Sequence, residues 1–398
     1  MKPLEGITVI ALEHAIAAPY CTRQLADLGA RVIKVERPGS GDFARAYDDR
    51  VNGLSSHFVW TNRSKESITL DLKHPEAFLV LKELIARADV LVQNLAPGAA
   101  ARLGLSHDTL KIEHPRLIVC DISGYGDNSE HPGPFRDKKA YDLLIQSESG
   151  FLSVTGTSEE PAKAGCSIAD ISAAMYAYSS ILAALLHRGQ SGLGTRIDVS
   201  MLECMVEWMG FPLYYSFQGA PPPGRNGAAH ATIFPYGPFL AGDGTTVMLG
   251  LQNEREWVTF CEKVLLQKSL AIDERFADNG KRSAARELLR AVITSAFATL
   301  SGEEVIRRLN EAGIANAMVN DMAAVWEHPQ LSARQRWTEV LTPNGPVAAL
   351  LPPGTSSMGQ DRVQLGAIPS VGQHTEAILA ELGWDKADIV RLRQSGAV

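Results

Sequence analysis

A chain of 398 residues is long for one compact core and comfortable for two domains. With 45% apolar and 21% charged residues it has the make-up of an ordinary globular protein, which excludes a mostly disordered or fibrous one. A net charge of -7 excludes a global positive field for nucleic acid or an anionic membrane, so cations that meet an anionic ligand must act locally.

The opening MKPLEGITVIAL holds one lysine before a strand-length apolar run, so no targeting segment is expected. Apolar, β-branched runs at Ile7–Leu12, Arg31–Val35, Ile68–Leu72, Val90–Gln93 and Leu117–Ile122 predict strands. Helical patterns such as Cys21–Leu28 and Glu76–Ala86 lie between them. This βαβα rhythm predicts a parallel, Rossmann-like α/β sheet with right-handed connections. Ile168–Leu186 reads as a long, Ala-rich, nearly all-apolar helix, which predicts burial on most sides. With Asp170 and several serines, it is too polar and too short to read as a membrane span.

The GAPPPGRNG stretch of Gly219–Gly227 supports neither helix nor strand and predicts a linker or domain boundary. A strand at Thr246–Leu251 and helices at Asn253–Val264, Ala284–Ala298 and Glu303–Ala312 follow. A second Pro/Gly-rich break is expected at Pro343–Gly354, before a helical tail at Thr375–Leu382.

Five cysteines without a CxxC pair read as reduced thiols in a cytoplasmic protein, with neither a disulfide frame nor a zinc site. The ten histidines form no HExxH or i, i+4 pair, so no metal is expected. GxSxG and GxxxxGK[ST] are absent, which argues against an α/β-hydrolase and a P-loop NTPase. The first strand ends in EHAIAAPY, whereas a dinucleotide site needs glycines there for the backbone to approach a pyrophosphate.

Basic and polar residues recur near the predicted strand ends: Arg37, Arg63, Lys65, Asn94, Arg102 and the segment Arg136–Lys139. In an open α/β sheet these ends face the ligand, so the set together favours a phosphate-bearing one, although each alone suits a solvated charge. Asp170 stands in GCSIADISAA at the start of the long apolar helix. Two readings are open at this stage. One is a first-turn aspartate favoured by the helix dipole; the other is a poorly solvated carboxylate acting as a nucleophile.

Several long blocks, in one order, resemble the family III CoA-transferases, the group of formyl-CoA and carnitine CoA-transferases. They are LADLGARVIKVERPGSGD (Leu25–Asp42), KESITLDLKHPE (Lys65–Glu76), ADVLVQNLAPGAAARLGL (Ala88–Leu105), SIAD (Ser167–Asp170) and GTRIDVSMLE (Gly194–Glu203). The resemblance implies Asp170 as catalytic nucleophile. It implies a CoA site at Ala15, Ile16, Ala17, Arg37, Leu70, Asn94, Leu95, Arg102, Lys139, Tyr141 and Met201. It also implies a large Rossmann-like domain (1–217 with 326–398) completed by the C-terminal tail, a small α/β domain (228–325), and an interlocked-ring homodimer. No cofactor beyond the CoA thioester is implied.

Ile16 departs from the glutamine of formyl-CoA transferases, and their glycine-rich lid is absent, which argues against formyl or oxalyl substrates. The related α-methylacyl-CoA racemases carry a histidine where Tyr141 stands here, and a neutral tyrosine is a poor base for proton abstraction. The Asn226–Phe239 and Leu251–Trp257 stretches resemble the branch acting on short dicarboxylates such as succinate, citramalate, mesaconate and itaconate. One carboxylate of such an acceptor needs a partner inside the cleft, for which Arg225, Asn226 and His230 are candidates, with Arg45 and Tyr47 as second choices.

Overall fold

The computed structural model describes residues 2–128, 130–354 and 364–398. The chain divides into two compact units. One comprises Met1–Gly150, Ala164–Met209 and Leu331–Val398; the other comprises Phe151–Lys163 and Gly210–Gln330.

The first unit is built on six parallel strands. They are β1 (Thr8–Leu12), β2 (Arg31–Glu36), β3 (Lys65–Thr69), β4 (Val90–Gln93), β5 (Ile118–Ser123) and β6 (Arg196–Ser200), in the order β3-β2-β1-β4-β5-β6. The central strands are buried along nearly their whole length, because helices cover both faces of a parallel sheet. Helix Ala17–Asp27 follows β1, and helix Pro75–Ala86 follows β3 with Pro75 in its first turn, where no amide partner is lost. Strand order reverses between β1 and β4, so the crevice beyond the carboxyl ends of these strands is the natural ligand position.

The C-terminal segment closes this unit. Ile378 and Leu379 of helix Thr375–Leu382, with Ile389 and Leu392 of helix Lys386–Gln394, enter the same apolar core as Ile33, Ile68 and Leu81. The Thr69 amide donates to Thr375 Oγ1 at 3.0 Å, and the Asp71 amide to the Ala397 carbonyl at 2.8 Å.

The second unit has an antiparallel sheet of β7 (Tyr236–Leu240), β8 (Thr246–Gly250) and β9 (Ala315–Met318). Helices Arg286–Phe297 and Gly302–Ala312 cover it around a core that includes Trp257, Phe260, Phe276 and Phe297.

Three expectations need correction. β3 begins at Lys65, not Ile68, because Lys65 is neutralised inside the fold and belongs to the ladder, where it pairs with Val32. The break expected at Pro343–Gly354 contains a hairpin strand. β10 (Trp337–Thr342) and β11 (Gly345–Leu350) pair through a two-residue turn at Pro343 and Asn344, and a two-stranded ribbon tolerates Pro346. The helix Ile168–Ser191 packs on helix Ala17–Asp27, β5 and β6 along one stripe that includes Ala169, Ala173, Ala177 and Ile181. Leu186 is 74% exposed, so burial on most sides does not hold. By length and composition this helix alone, among the described residues, is apolar enough to cross a membrane.

Candidate active site

The site starts from a run of charge that the sheet hides completely. Glu13 follows β1, Lys34 lies within β2 and Lys65 opens β3; all three side chains are fully buried. Lys65 Nζ donates to Glu13 Oε1 at 2.7 Å, and Lys34 Nζ reaches the same oxygen at 3.3 Å and Asp42 Oδ2 at 2.8 Å. Burial pushes the Glu13 carboxyl up, but Lys65 and Lys34 outweigh it and hold the group below its ordinary value. Beside this cluster, Arg45 grips Glu36 through two nitrogens at 2.8 and 2.7 Å.

These ion pairs fix the loop after β1. Asp42 accepts from the amides of Ala44 at 2.9 Å and Ala15 at 3.2 Å. Ala15 takes φ = +59°, a conformation that L-residues other than Asn, Asp and Gly rarely adopt. Asn94, just past β4, holds the neighbouring residue twice: its Oδ1 accepts from the His14 amide and its Nδ2 donates to the His14 carbonyl, both at 2.9 Å. Ile16 and Ala17 are buried, and Ala17 starts the next helix.

Asp170 lies in the first turn of helix Ile168–Ser191, half-buried, with Ser167 as the capping residue. Burial, and then the Asp142 carboxylate, push its pKa up to about 7, while the Ala17 amide hydrogen-bonds the carboxylate and pulls the other way. Asp142 stays in place by accepting from the Ala169 amide at 2.8 Å and from Gln146 Nε2 at 2.7 Å. Burial, and then the charges of Asp42, Asp170 and Tyr141, raise the Tyr47 phenol. The product is a carboxylate poorly solvated for an aspartate, with a backbone donor aimed at it.

A cleft of about 850 Å³ opens at the carboxyl ends of β1 to β4. Arg37, Leu70, Leu95 and Arg102 line it, as does Lys73, which sequence reasoning had passed over. Arg37, Lys73 and Arg102 are exposed, and none has a carboxylate partner among the described residues. Three cations with no ion-pair partner among the described residues, with Asp71 beside them, line one cleft in a chain of net charge -7, a local arrangement of charge that suits an anionic group. His14 also lines the cleft; burial lowers its pKa, and its Nδ1 has no partner among the described residues.

The remaining candidates fall elsewhere. Met201 is buried at the start of helix Met201–Trp208, whereas Lys139 and Tyr141 are exposed ahead of helix Asp142–Glu148. Asn94 directs its amide at His14, so its observed role is to shape the loop. Arg63 and Lys65 do not face a polyanion: Arg63 is bound to Asp27 at 2.7 Å and to the Leu350 carbonyl, and Lys65 to Glu13. Arg136 pairs with Asp127, and Lys138 with Glu148.

The acceptor-side guanidiniums are similarly engaged. Arg45 holds Glu36 and the Pro369 carbonyl, and Arg225 donates to the carbonyls of Thr157 and Ser158. Asn226 donates to the Gly224 carbonyl. His230 Nδ1 accepts from the Thr232 and Ile233 amides while the ring stacks on Tyr236. Each of these side chains is committed within its own unit.

Comparison with known proteins matches this geometry to a chemistry. The model of CoA-transferase family III matches residues 4–375. A succinate–glutarate CoA-transferase of Agrobacterium fabrum is 33% identical, over 96% of this chain and 96% of its own. A succinyl-CoA:mesaconate CoA-transferase of Haloarcula hispanica is also 33% identical, over 96% of this chain and 97% of its own. The crystal structure of a CaiB/BaiF family protein from Brucella suis superposes with a TM-score of 0.82 at 32% identity, covering 96% of this chain and 99% of that one. With a match that spans nearly its whole length, the chain belongs to CoA-transferase family III.

Proposed function

We propose that this enzyme moves CoA from succinyl-CoA to a short dicarboxylic acid of the glutarate, mesaconate, citramalate or itaconate type, with Asp170 as covalent nucleophile. The observation that carries the reading is the desolvated Asp170 carboxylate in the same unit as a cleft ringed by Arg37, Lys73 and Arg102. The substrate class is supported by relatives named for succinyl-CoA with glutarate or mesaconate.

The cycle follows from the residue types. An Asp170 oxygen attacks the donor thioester carbonyl and expels CoA thiolate, leaving a mixed anhydride. The thiolate attacks the aspartyl carbonyl and releases the donor acid, leaving an aspartyl-CoA thioester. The acceptor carboxylate displaces CoA to form a second anhydride, and the thiolate takes the acceptor's acyl group and restores Asp170. Each step exchanges one activated carboxyl for another, so no ATP or redox partner is consumed, and one hard exchange becomes several easier ones. The Ala17 amide, which favours the charged Asp170 carboxylate, is the donor we assign to the oxyanions at the aspartyl carbonyl.

The test incubates enzyme and succinyl-CoA with a panel of dicarboxylates and with butyrate, reading new thioesters by mass spectrometry. Transfer to C4–C5 dicarboxylates, with hydroxylamine trapping confined to Asp170, is the expected result. Equal use of butyrate removes the dicarboxylate assignment, and trapping elsewhere removes the nucleophile. For the cleft, Arg37→Ala and Arg102→Ala are each expected to raise the KM for acyl-CoA about tenfold with little change in kcat, since a phosphate contact binds ground and transition states alike. Steady-state kinetics with CoA and dephospho-CoA thioesters check this.

An interlocked homodimer belongs to the same reading. Trp208, Phe211, Leu213, Tyr214, Tyr215 and Phe217 stand within ten residues of one another and are each at least 46% exposed, more apolar surface than one isolated chain usually leaves open. A cytoplasmic location fits the thiols, of which Cys21, Cys120, Cys204 and Cys261 are buried and unbridged.

A further inference from the structure

The most heavily constrained part of the first unit lies beside the nucleophile. It is the loop Glu13–Ile16, held from three sides by Asp42, Asn94 and the pair of buried lysines. Such a concentration of buried charge is a costly way to secure an ordinary surface loop, because a paired buried ion rarely outperforms apolar packing. What it secures is an unfavourable backbone state at Ala15, two residues before the amide that faces Asp170.

We propose that Asp42 is a positioning residue for transfer: braced by Lys34, its carboxylate holds the Ala15 amide so that the loop delivers the Ala17 amide to the Asp170 carboxylate. The inference rests on Asp170 being the nucleophile. The geometry divides the labour between the two oxygens. Asp42 Oδ2 faces Lys34 Nζ at 2.8 Å, while Oδ1 receives the amides of Ala15 and Ala44 at 3.2 and 2.9 Å. Lys34 in turn shares Glu13 with Lys65, so Glu13, Lys34, Asp42 and Lys65 balance to zero. Without the Oδ1 acceptor the Ala15 amide loses its side-chain partner, the left-handed turn rests on Asn94 and the packing of Ile16, and the Ala17 amide is less firmly aimed.

Removing Asp42 alone strands Lys34, so the test removes the charges as a pair. Lys34→Met with Asp42→Asn keeps an oxygen for the Ala15 and Ala44 amides; Lys34→Met with Asp42→Ala takes it away. Both leave the Glu13–Lys65 pair neutral. Active sites are counted by CoA binding, and turnover is expressed per site. The Asn variant is expected to keep most of its kcat. The Ala variant is expected to lose at least about tenfold in kcat with KM for acyl-CoA within about twofold, the pattern of an interaction made in the transition state. Its acidic limb in kcat/KM is also expected to move to higher pH, because the Ala17 amide favours the charged carboxylate. A purely structural role would lower the melting temperature of both variants alike and leave the limb in place. Equal turnover per site in the two variants overturns the proposal, as does a folded Asn variant that is inactive. Asp170→Ala assayed in parallel separates the failures: retained turnover there removes the nucleophile, whereas an inactive Asp170→Ala with equal position-42 variants removes only the positioning role.

Discussion

Asp170→Asn is expected to abolish CoA transfer, lowering kcat by roughly 10⁴-fold or more, as loss of a covalent nucleophile does elsewhere. CoA affinity should stay within about twofold, because none of the cations lining the cleft touches this side chain. The wild-type pH profile carries the same residue's signature. Attack needs the ionised carboxylate, and burial with Asp142 places its pKa at about 7, so kcat/KM should rise with unit slope up to about pH 7 and then level off. Asp142→Asn keeps an oxygen for the Ala169 amide but removes a negative neighbour, and the limb should move to lower pH.

Stability gives an independent reading with an opposite sign to activity. A carboxyl whose folded pKa lies above its unfolded value binds more protons folded than unfolded between the two, so its contribution falls as pH rises through that window. For Asp170 the window runs from about 4 to about 7. Asp170→Asn should therefore melt at or above the wild-type temperature at pH 8 while being inactive. A melting point well below wild type would mean that Asp170 supports the fold, and the loss of activity would then say nothing about chemistry.

How much of this was legible beforehand follows from what each feature depends on. β1, β2, β4 and β5 were readable because a strand buried on both faces is a nearly continuous apolar run, and the long helix because its alanines and leucines persist for over four turns. β3 was placed three residues late because Lys65 and Glu66 read as exterior. β6 and β7 fell inside quoted motifs but were too short and too mixed to stand out as strands. The Pro343–Gly354 stretch read as a break in secondary structure because proline and glycine mark hairpins and linkers alike.

The site divides along the same line. Asp170 and the cleft residues Arg37, Leu70, Leu95 and Arg102 came through family resemblance, and the cleft brings four of them together. Glu13, Lys34 and Asp42 were missed because a charge in sequence is usually a charge in water. One signal was available: Lys34 interrupts VIKV in a strand that must be buried on both faces, so it needed a buried carboxylate. Asp42, eight residues on, is the nearer partner, whereas the meeting with Glu13 is set by β1 lying beside β2 in parallel register, which no local pattern encodes.

Glu13→Gln is the corresponding test of stability. Glu13 accepts from Lys65 and Lys34 and, through its other oxygen, from Thr22 Oγ1 at 2.6 Å, and all of these side chains are fully buried. The amide keeps the shape but withdraws the charge, leaving Lys34 with Asp42 and Lys65 with no bonded carboxylate among the described residues. Breaking a fully buried pair from one side costs about 3–5 kcal/mol, a large share of the stability of an ordinary domain. The sign with pH follows from the carboxyl being held below its ordinary value. Stability from Glu13 is present above the unfolded carboxyl pKa of about 4 and is lost as pH falls through the folded one. Urea unfolding of wild type and Glu13→Gln should therefore differ by the full amount at pH 7 and converge in acid. A second variant, Glu13→Gln with Lys65→Met, removes the pair together and should recover much of the loss, since a neutral apolar replacement leaves no stranded charge. If the single variant is as stable as wild type at pH 7, Glu13 does not bear on stability, and the strained turn at Ala15 is held by Asp42, Asn94 and the packing of Ile16 without it.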